Sequence, residues 1–287
     1  MIWELIKIPF IVQRKMLIFR DVVTQRLYIK NKKMILKDKN PTITLVGAGP
    51  GDIELITLKG INAIKSADVI LYDALVNEEL LDFAPNALKI FVGKRKGFKA
   101  FSQEEINQLL VDKAFLHGHA VRLKGGDSFV FGRGFEEIQH AKAFGIPTSV
   151  VPGISSSISV PALAGIPVTH RGVSNSFFVL TGTLSDGSLN PEIEVAAKTS
   201  GTVVVLMGLS KLSEIVSIFK SENKEDLTVS VISNGSLPTQ KSVSGRVRNI
   251  ISKVEEENIQ APAIIVLGEV VGLQNEFQIV LEDSYKL

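Results

Sequence analysis

The segment TITLVGAGPGD at residues 42–52 joins a run of apolar and β-branched residues to a glycine-rich turn. A short run of this kind, bounded by glycine, predicts a buried β-strand. Apolar residues then recur at helical spacing over residues 54–66, and Asp52 stands where it can cap the N-terminus of that helix. The segment therefore predicts a strand–turn–helix unit with its glycine turn at the carboxyl end of the strand.

The same alternation continues through the first half of the chain. Helical patterns occupy residues 102–117 and 134–144, and the first of them starts with a capping-box sequence, Ser102 to Glu105. Strand patterns stand between the helices, at residues 69–72, 120–124 and 148–151. Alternating strands and helices with short glycine-marked links predict an α/β domain with a largely parallel sheet.

The second half of the chain is richer in strand patterns and follows a stretch dense in Pro, Gly and Ser at residues 151–167. Asn234-Gly235 lies between two strand patterns and indicates a hairpin. We expect an N-terminal α/β domain over residues 41–160 and a C-terminal α/β domain over residues 161–287. Strands of the second domain are expected at residues 177–181, 202–206, 228–232, 241–247 and 263–267.

Composition excludes several classes of site and partner. The chain has no cysteine, which rules out disulfides, cysteine-ligated metal sites and thiol nucleophiles, and favours a cytoplasmic location. Residues 1–40 form a basic leader with ten Lys and Arg against three Asp and Glu, so the net charge of +2 does not indicate a nucleic-acid-binding face. The sequence has no uninterrupted apolar stretch of about 20 residues, so no membrane span is predicted. The role of the leader stays open.

Two glycine turns are candidate ligand loops. Gly47 to Asp52 follows the first strand, and Gly125-Gly126-Asp127 follows another. Carboxyl ends of parallel strands share one edge of a sheet, where ligands bind in such folds. A dinucleotide fingerprint would need a third glycine where Asp52 stands, and Pro50 removes a backbone donor. Purely structural tight turns remain the alternative.

Cations cluster near these loops. A polyanionic ligand would suit Arg and Lys side chains, since guanidinium groups bind carboxylates in a bidentate manner. A solvated surface run is the alternative, and it is favoured for Lys96. Neither a metal site nor a hydrolase is predicted, because the four histidines lack ligand spacing and Gly-x-Ser-x-Gly is absent. The cations are Lys94-Arg95-Lys96, Arg122, Arg133 and His170-Arg171.

Taken together, nine ordered segments between about residues 42 and 273 resemble the tetrapyrrole methylase family. The GKR and THRG segments resemble the members that methylate uroporphyrinogen rather than precorrin methyltransferases or diphthine synthase. The segments are VGAGPGD (46–52), SADVILYDALV (66–76), VGKRKG (92–97), RLKGGDSFVFGRG (122–134), VVPGISS (150–156), AGIPVTHRG (164–172), LMG (206–208), NG (234–235) and GEVV (268–271).

The resemblance implies a two-domain fold, a homodimer, and S-adenosylmethionine in the cleft between the domains, with S-adenosylhomocysteine as product. It also implies that a tetrapyrrole, uroporphyrinogen III, is methylated twice to precorrin-2, with Asp73 as proton acceptor and Lys94 as proton donor. Arg122, Arg133 and Arg171 are the expected substrate-binding residues. The cofactor residues it implies are Pro50, Gly125, Gly126, Asp127, Val130, Ser155, Ser156, Met207 and Gly235.

Two positions depart from the family pattern. Ser128 replaces a usual proline and loosens a turn, while Phe135 replaces a usual glycine and adds bulk on the implied substrate side. Three other functions remain open from the sequence: another member of the family, a nicotinamide-dependent oxidoreductase, and a tetrapyrrole carrier without catalysis.

Overall fold

The protein folds into two five-stranded sheets, one after the other along the chain, each packed with helices. The computed structural model describes residues 40–93 and 101–274. No helix within these residues has the length and apolar character needed to cross a membrane. The predicted α/β class is confirmed.

The first sheet is entirely parallel, with strand order β3-β2-β4-β1-β5. Its parallel character was expected from the alternation of strands and helices and is confirmed. All five strands therefore end at the same edge, which fixes where the loops that follow them lie. The strands are β1 (Thr42–Gly47), β2 (Val69–Tyr72), β3 (Leu88–Phe91), β4 (His119–Lys124) and β5 (Thr148–Val151).

Helices and 3-10 turns cover both faces of this sheet and bury its apolar side chains. On one face, Leu45 and Leu71 pack with Leu110 and Ile138 of two helices; on the other, Ile70 belongs to a second core cluster. The predicted capping box is confirmed, because the Ser102 hydroxyl accepts from the Glu105 amide and the Glu105 carboxylate accepts from the Ser102 amide. The helices are α1 (Leu58–Lys65), α2 (Gln103–His117), α3 (Gly134–Ala143) and α4 (Ser156–Leu163).

The first predicted helix is wrong in its opening turn. Asp52 caps only a 3-10 turn, Ile53–Leu55, and the chain is extended again at Ile56. Helix α1 starts at Leu58, where the Thr57 hydroxyl accepts from the Gly60 amide across 3.0 Å. The helix breaks because Ile56 turns into the core while a second cap forms at Thr57.

The second sheet is mixed, with order β6-β7-β10-β8-β9. Only the β6–β7 pair is parallel, and the other three pairs are antiparallel. The predicted strands are confirmed to within one residue. They are β6 (Phe177–Thr181), β7 (Thr202–Leu206), β8 (Thr228–Ser233), β9 (Lys241–Arg246) and β10 (Ala263–Leu267), and the helices are α5 (Glu192–Ala197), α6 (Leu212–Ser221) and α7 (Ile250–Glu256).

The hairpin indicated by Asn234-Gly235 is confirmed as the antiparallel pair β8–β9, in which Ser233 faces Lys241. The connection spans residues 234–240 and is longer than a two-residue turn. Asn234 and Ser236 both adopt positive φ, and the Asn234 amide donates to the Pro262 carbonyl at 3.0 Å. Helix α4, in the stretch dense in Pro, Gly and Ser, packs its Val160 into the core of this second sheet.

Candidate active site

The two glycine turns predicted to share a sheet edge are joined by backbone hydrogen bonds. The Gly49 amide donates to the Gly126 carbonyl at 3.2 Å, and the Gly126 amide donates to the Gly49 carbonyl at 2.7 Å. The loops after β1 and β4 are therefore fixed against each other through main-chain groups alone. Gly126 adopts φ +66°, a conformation that favours glycine.

A third loop, after β5, joins the same cluster. The Gly153 amide donates to Asp127 Oδ2 at 3.0 Å, while Asp127 Oδ1 accepts from the Phe129 amide at 2.8 Å. A Cβ on Gly153 would lie 2.2 Å from the Gly126 carbonyl oxygen, and one on Gly47 would lie 2.5 Å from the Gly153 nitrogen. Glycine at these positions lets three backbones approach closely.

The connection between β8 and β9 meets the first of these loops. The Asp52 amide donates to the Ser236 hydroxyl at 3.1 Å. Gly235 packs directly on α4, since a Cβ there would lie 2.4 Å from both γ-carbons of Val160. Sequence reasoning did not single out Ser236, because its partner Asp52 lies far away in the sequence.

Of the other predicted cofactor residues, Val130 and Met207 leave apolar surface exposed. Met207 follows β7 in a left-handed conformation, φ +53°, and its carbonyl accepts from the Thr183 hydroxyl at 2.8 Å. Ser155 caps α4 by accepting from the Ser157 amide at 3.3 Å, with Ser156 as the first helical residue. Strain at a non-glycine residue such as Met207 is typical of functional sites.

Asp73 directly follows β2 at the edge that carries the glycine turns. Its Oδ1 accepts from the Gly125 amide at 3.4 Å and from the Leu75 amide at 3.3 Å, and its Oδ2 lies 3.5 Å from an Arg122 nitrogen. These contacts are all long, and 26% of the side chain is exposed. The carboxylate is therefore oriented by the protein yet keeps oxygen surface open to a ligand.

Arg122, predicted to bind substrate, lies beneath Asp73 with 3% of its side chain exposed. Its Nε donates to Glu137 Oε1 at 3.1 Å, and its Nη1 donates to the carbonyls of Leu123 and Leu71 at 2.9 and 3.3 Å. Protein groups thus bind most of the guanidinium nitrogens. Toward the candidate active site, Arg122 contacts Asp73.

Glu137 and Lys124 complete this buried group and were not predicted as site residues. Lys124 Nζ lies 3.1 Å from Glu137 Oε1, and the Glu137 side chain has no exposed surface. Burial lowers the pKa of Lys124, and the neighbouring Arg122 lowers it further. The sequence offers only a weak signal, a Glu136-Glu137 pair near the start of a helix.

The remaining predicted cations differ in their surroundings. Arg133 is exposed, adopts φ +57° just before α3, and forms a two-bond fork with Glu136 at 2.7 and 2.8 Å. Hydrogen bonding to Arg133 lowers the pKa of Glu136. Arg171 is exposed in the loop between α4 and β6, whereas Lys94 lies outside the described residues.

The two departures from the family pattern lie close together, Ser128 in the loop between β4 and α3 and Phe135 in the first turn of α3. Ser128 is buried, and its hydroxyl has no hydrogen-bond partner within the described part of the chain. Phe135 is exposed and contacts Phe129 edge to face, with ring centroids 6.3 Å apart. Among residues 40–93 and 101–274, no group of three or more His, Asp or Glu could hold a metal ion.

A family model described as Tetrapyrrole (Corrin/Porphyrin) Methylases matches residues 42–251, a span that includes both sheets up to β9 and all the loops above. The chain belongs to the tetrapyrrole methylase family. Members of this family use S-adenosylmethionine, so the expected methyltransferase class and cofactor are confirmed, and the nicotinamide alternative is set aside.

Three relatives of this tetrapyrrole methylase place it more closely. It is 47% identical over 234 residues to uroporphyrinogen-III C-methyltransferase of Methanocaldococcus jannaschii, covering 80% of this chain and 97% of that protein. It is 45% identical over 248 residues to siroheme synthase of Actinobacillus pleuropneumoniae, covering 84% of this chain but only 50% of the relative. The structure of uroporphyrin-III C-methyl transferase from Thermus thermophilus, complexed with S-adenyl homocysteine, matches with TM-score 0.71 and 37% identity over 81% of this chain and 99% of that one.

Proposed function

We propose that this tetrapyrrole methylase transfers methyl groups from S-adenosylmethionine to two carbons of uroporphyrinogen III, giving precorrin-2. The observation that carries the proposal is the position of Asp73, whose partly exposed carboxylate stands beside the Gly125 turn at the edge where three glycine loops meet. Relatives named for uroporphyrinogen methylation, matched over nearly their whole length, support this choice of substrate.

The residues at this edge fit the cofactor chemically. Val130 and Met207 offer exposed apolar surface to an adenine ring. Gly126 borders open space, because a Cβ added there would meet nothing within 4 Å. Asp127 retains acceptor capacity for ribose hydroxyls beyond its two backbone bonds. We propose that Pro50, Gly125, Ser155, Ser156 and Gly235 line the same cofactor site. When bound, S-adenosylmethionine supplies an electrophilic methyl group.

Asp73 is the proposed proton acceptor. Attack by a pyrrole carbon leaves positive charge on the macrocycle, and a nearby carboxylate stabilises that charge and then takes a ring proton. The long contacts of Asp73 to Gly125, Leu75 and Arg122 orient it without occupying its acceptor sites fully. By the family resemblance, Lys94 is the proposed proton donor.

Exposed cations are proposed to bind the carboxylates of the substrate. Arg133 and Arg171 both present charge to solvent, and the Glu136 fork holds the Arg133 side chain at the start of α3. Arg122 is buried, so its proposed contribution to substrate binding passes through Asp73 rather than through a carboxylate of the macrocycle. Positioning of the reactive carbon against the methyl group accounts for much of the rate in such transfers.

The proposed assembly is a homodimer in the cytoplasm. The family resemblance supports the dimer, and the lack of cysteine supports a reducing compartment.

An anaerobic incubation with uroporphyrinogen III and S-adenosylmethionine, followed by mass spectrometry, tests the function. Gain of two methyl groups is the expected result. Gain of one methyl group would contradict the double methylation and implicate Phe135. Tight binding of S-adenosylhomocysteine without methylation would retain the family and overturn the substrate, pointing to another tetrapyrrole or diphthine as acceptor.

A further inference from the structure

Four charged side chains form a row beneath the carboxyl edge of the first sheet. Lys124 and Arg122 come from β4, Glu137 from α3, and Asp73 from the end of β2. The row alternates in sign, running from Lys124 through Glu137 and Arg122 to Asp73. Its first three members are buried, and only Asp73 reaches solvent.

Glu137 is the centre of this row, and within the described residues one of its oxygens makes all of its hydrogen bonds. Oε1 accepts from Arg122 Nε and Lys124 Nζ at 3.1 Å each, and from Gln103 Nε2 at 3.2 Å. The other oxygen, Oε2, has no hydrogen-bond partner in residues 40–93 and 101–274. Arg122 is thus shared between a close contact to Glu137 and a 3.5 Å contact to Asp73.

Charge balance links the two ends of the row. A buried ion is costly unless an opposite charge compensates it, and the cost rises sharply when one partner is removed. Lys124 and Arg122 compete for a single oxygen of Glu137, so Lys124 limits how strongly Glu137 holds Arg122. The remaining attraction of Arg122 goes to Asp73.

We propose that Lys124 and Glu137 are positioning residues, which act through Arg122 to hold the Asp73 carboxylate in its reactive orientation. The inference rests on the proposed function, because Asp73 acts there as the proton acceptor. Neither residue touches the substrate. Their part is to set how far Asp73 is drawn toward Arg122 and away from the ligand side of the loop.

The test is a double-mutant cycle with opposite expectations for single and double variants. Glu137→Gln leaves two buried cations facing Asp73, which pulls its carboxylate inward. Lys124→Met removes the cation that competes for Glu137, so Glu137 holds Arg122 more strongly and the contact from Arg122 to Asp73 weakens. Each single variant is expected to lower kcat about tenfold, whereas the double variant restores one cation against one anion and returns kcat to within about threefold of wild type. KM and the affinity for S-adenosylhomocysteine stay within about twofold throughout.

Matched controls make the same chemical changes at a partly exposed ion pair. Lys211 Nζ lies 3.0 Å from Glu214 Oε1, and both side chains reach solvent. Lys211→Met and Glu214→Gln are expected to leave kcat unchanged. Thermal unfolding of every variant shows which ones fold. If a single variant does not fold, the folded double variant must still turn over near the wild-type rate.

Three outcomes overturn the inference. Folded single variants with wild-type kcat would remove any positioning role. A double variant whose kcat falls by the product of the two single-variant factors would show independent structural damage. Variants that change KM and leave kcat unaltered would do the same. Failure of the proposed function is distinguishable, because wild-type protein would then not methylate uroporphyrinogen III, and the inference would fall with it.

Discussion

The Gly153 amide donates to Asp127 Oδ2 across 3.0 Å, and this bond ties the loop after β5 to the loop after β4. The other oxygen of Asp127 orders its own loop by accepting from the Phe129 amide at 2.8 Å. One carboxylate thus connects two of the three loops at the candidate cofactor site, and its removal affects both.

Replacing Asp127 with Asn is expected to lower the free energy of unfolding by about 1–3 kcal/mol, because one of two backbone donors loses its acceptor. Affinity for S-adenosylhomocysteine is expected to fall about tenfold. Denaturant unfolding and calorimetric titration measure the two effects. Asp186→Asn is the control, since Asp186 likewise accepts from a backbone amide but in an exposed turn. Equal effects of the two substitutions would contradict the role of Asp127.

Replacing Gly153 with Ala is expected to destabilise the protein by about 3 kcal/mol, since its new Cβ would lie 2.2 Å from the Gly126 carbonyl oxygen. Backbone cannot give way as a flexible side chain does. Gly272→Ala is the matched control, with nothing within 4 Å of its Cβ, and should stay within about 0.5 kcal/mol of wild type. Urea denaturation measures both, and a neutral Gly153→Ala would mean that the three loops are not closely packed.

Replacing Asp73 with Asn is expected to lower kcat by about 10²–10⁴, since an amide does not accept the ring proton. S-adenosylhomocysteine affinity should remain within about twofold of wild type. Single-turnover methylation and calorimetry separate these effects. Asp82→Asn, on an exposed turn, serves as the control. Wild-type turnover by Asp73→Asn would remove Asp73 from the mechanism.

Replacing Gly235 with Ala is expected to destabilise the packing of the β8–β9 connection on α4, because the added methyl would lie 2.4 Å from two carbons of Val160. Val160→Ala removes those two carbons. Together the substitutions should cost at least about 1 kcal/mol less than the sum of the single effects. Unfolding free energies of the four proteins give this coupling, and strict additivity would mean that the loop moves away without cost.

The free energy of unfolding should fall as the pH drops through about 6.5, because His140 is partly buried in the folded protein. Burial lowers the pKa of His140, so the unfolded chain binds a proton that the folded chain refuses. The stabilising contribution is complete above the unfolded pKa and is lost as pH falls toward the folded pKa. In the His140→Gln variant, the free energy of unfolding measured in urea should depend less on pH between about pH 7.5 and 5.5 than in the wild type.

The strands could be predicted because parallel strands buried on both faces are continuous apolar runs. β3 was missed because it is a short edge strand on which Leu88 and Lys89 are exposed. The error at residues 54–66 has a related cause. Helical spacing counted Leu58, which is 81% exposed, and passed over Ile56, which is buried. Apolar character alone did not indicate which side chain faces the core.

The glycine turns were identifiable in the sequence because tight approach of backbones requires glycine. The roles of Glu137 and Lys124 were not, since a buried carboxylate is compensated only by partners that the fold brings together. Glu136 and Glu137 are adjacent and chemically identical, yet the first pairs with Arg133 in solvent and the second lies beneath the sheet. The register of α3 decides between them, and local sequence does not fix that register.

The paired hydrogen bonds between Gly49 and Gly126 constrain how this chain can change in length. Both bonds use main-chain atoms, so no side-chain replacement elsewhere in the loops removes a donor or an acceptor. A one-residue insertion or deletion between β1 and Gly49, or between β4 and Gly126, would shift one loop past the other and unpair both bonds. Deletion scanning should therefore find these two short segments intolerant of a change in length, while the exposed tip of the loop after β6, residues 184–188, accepts extra residues.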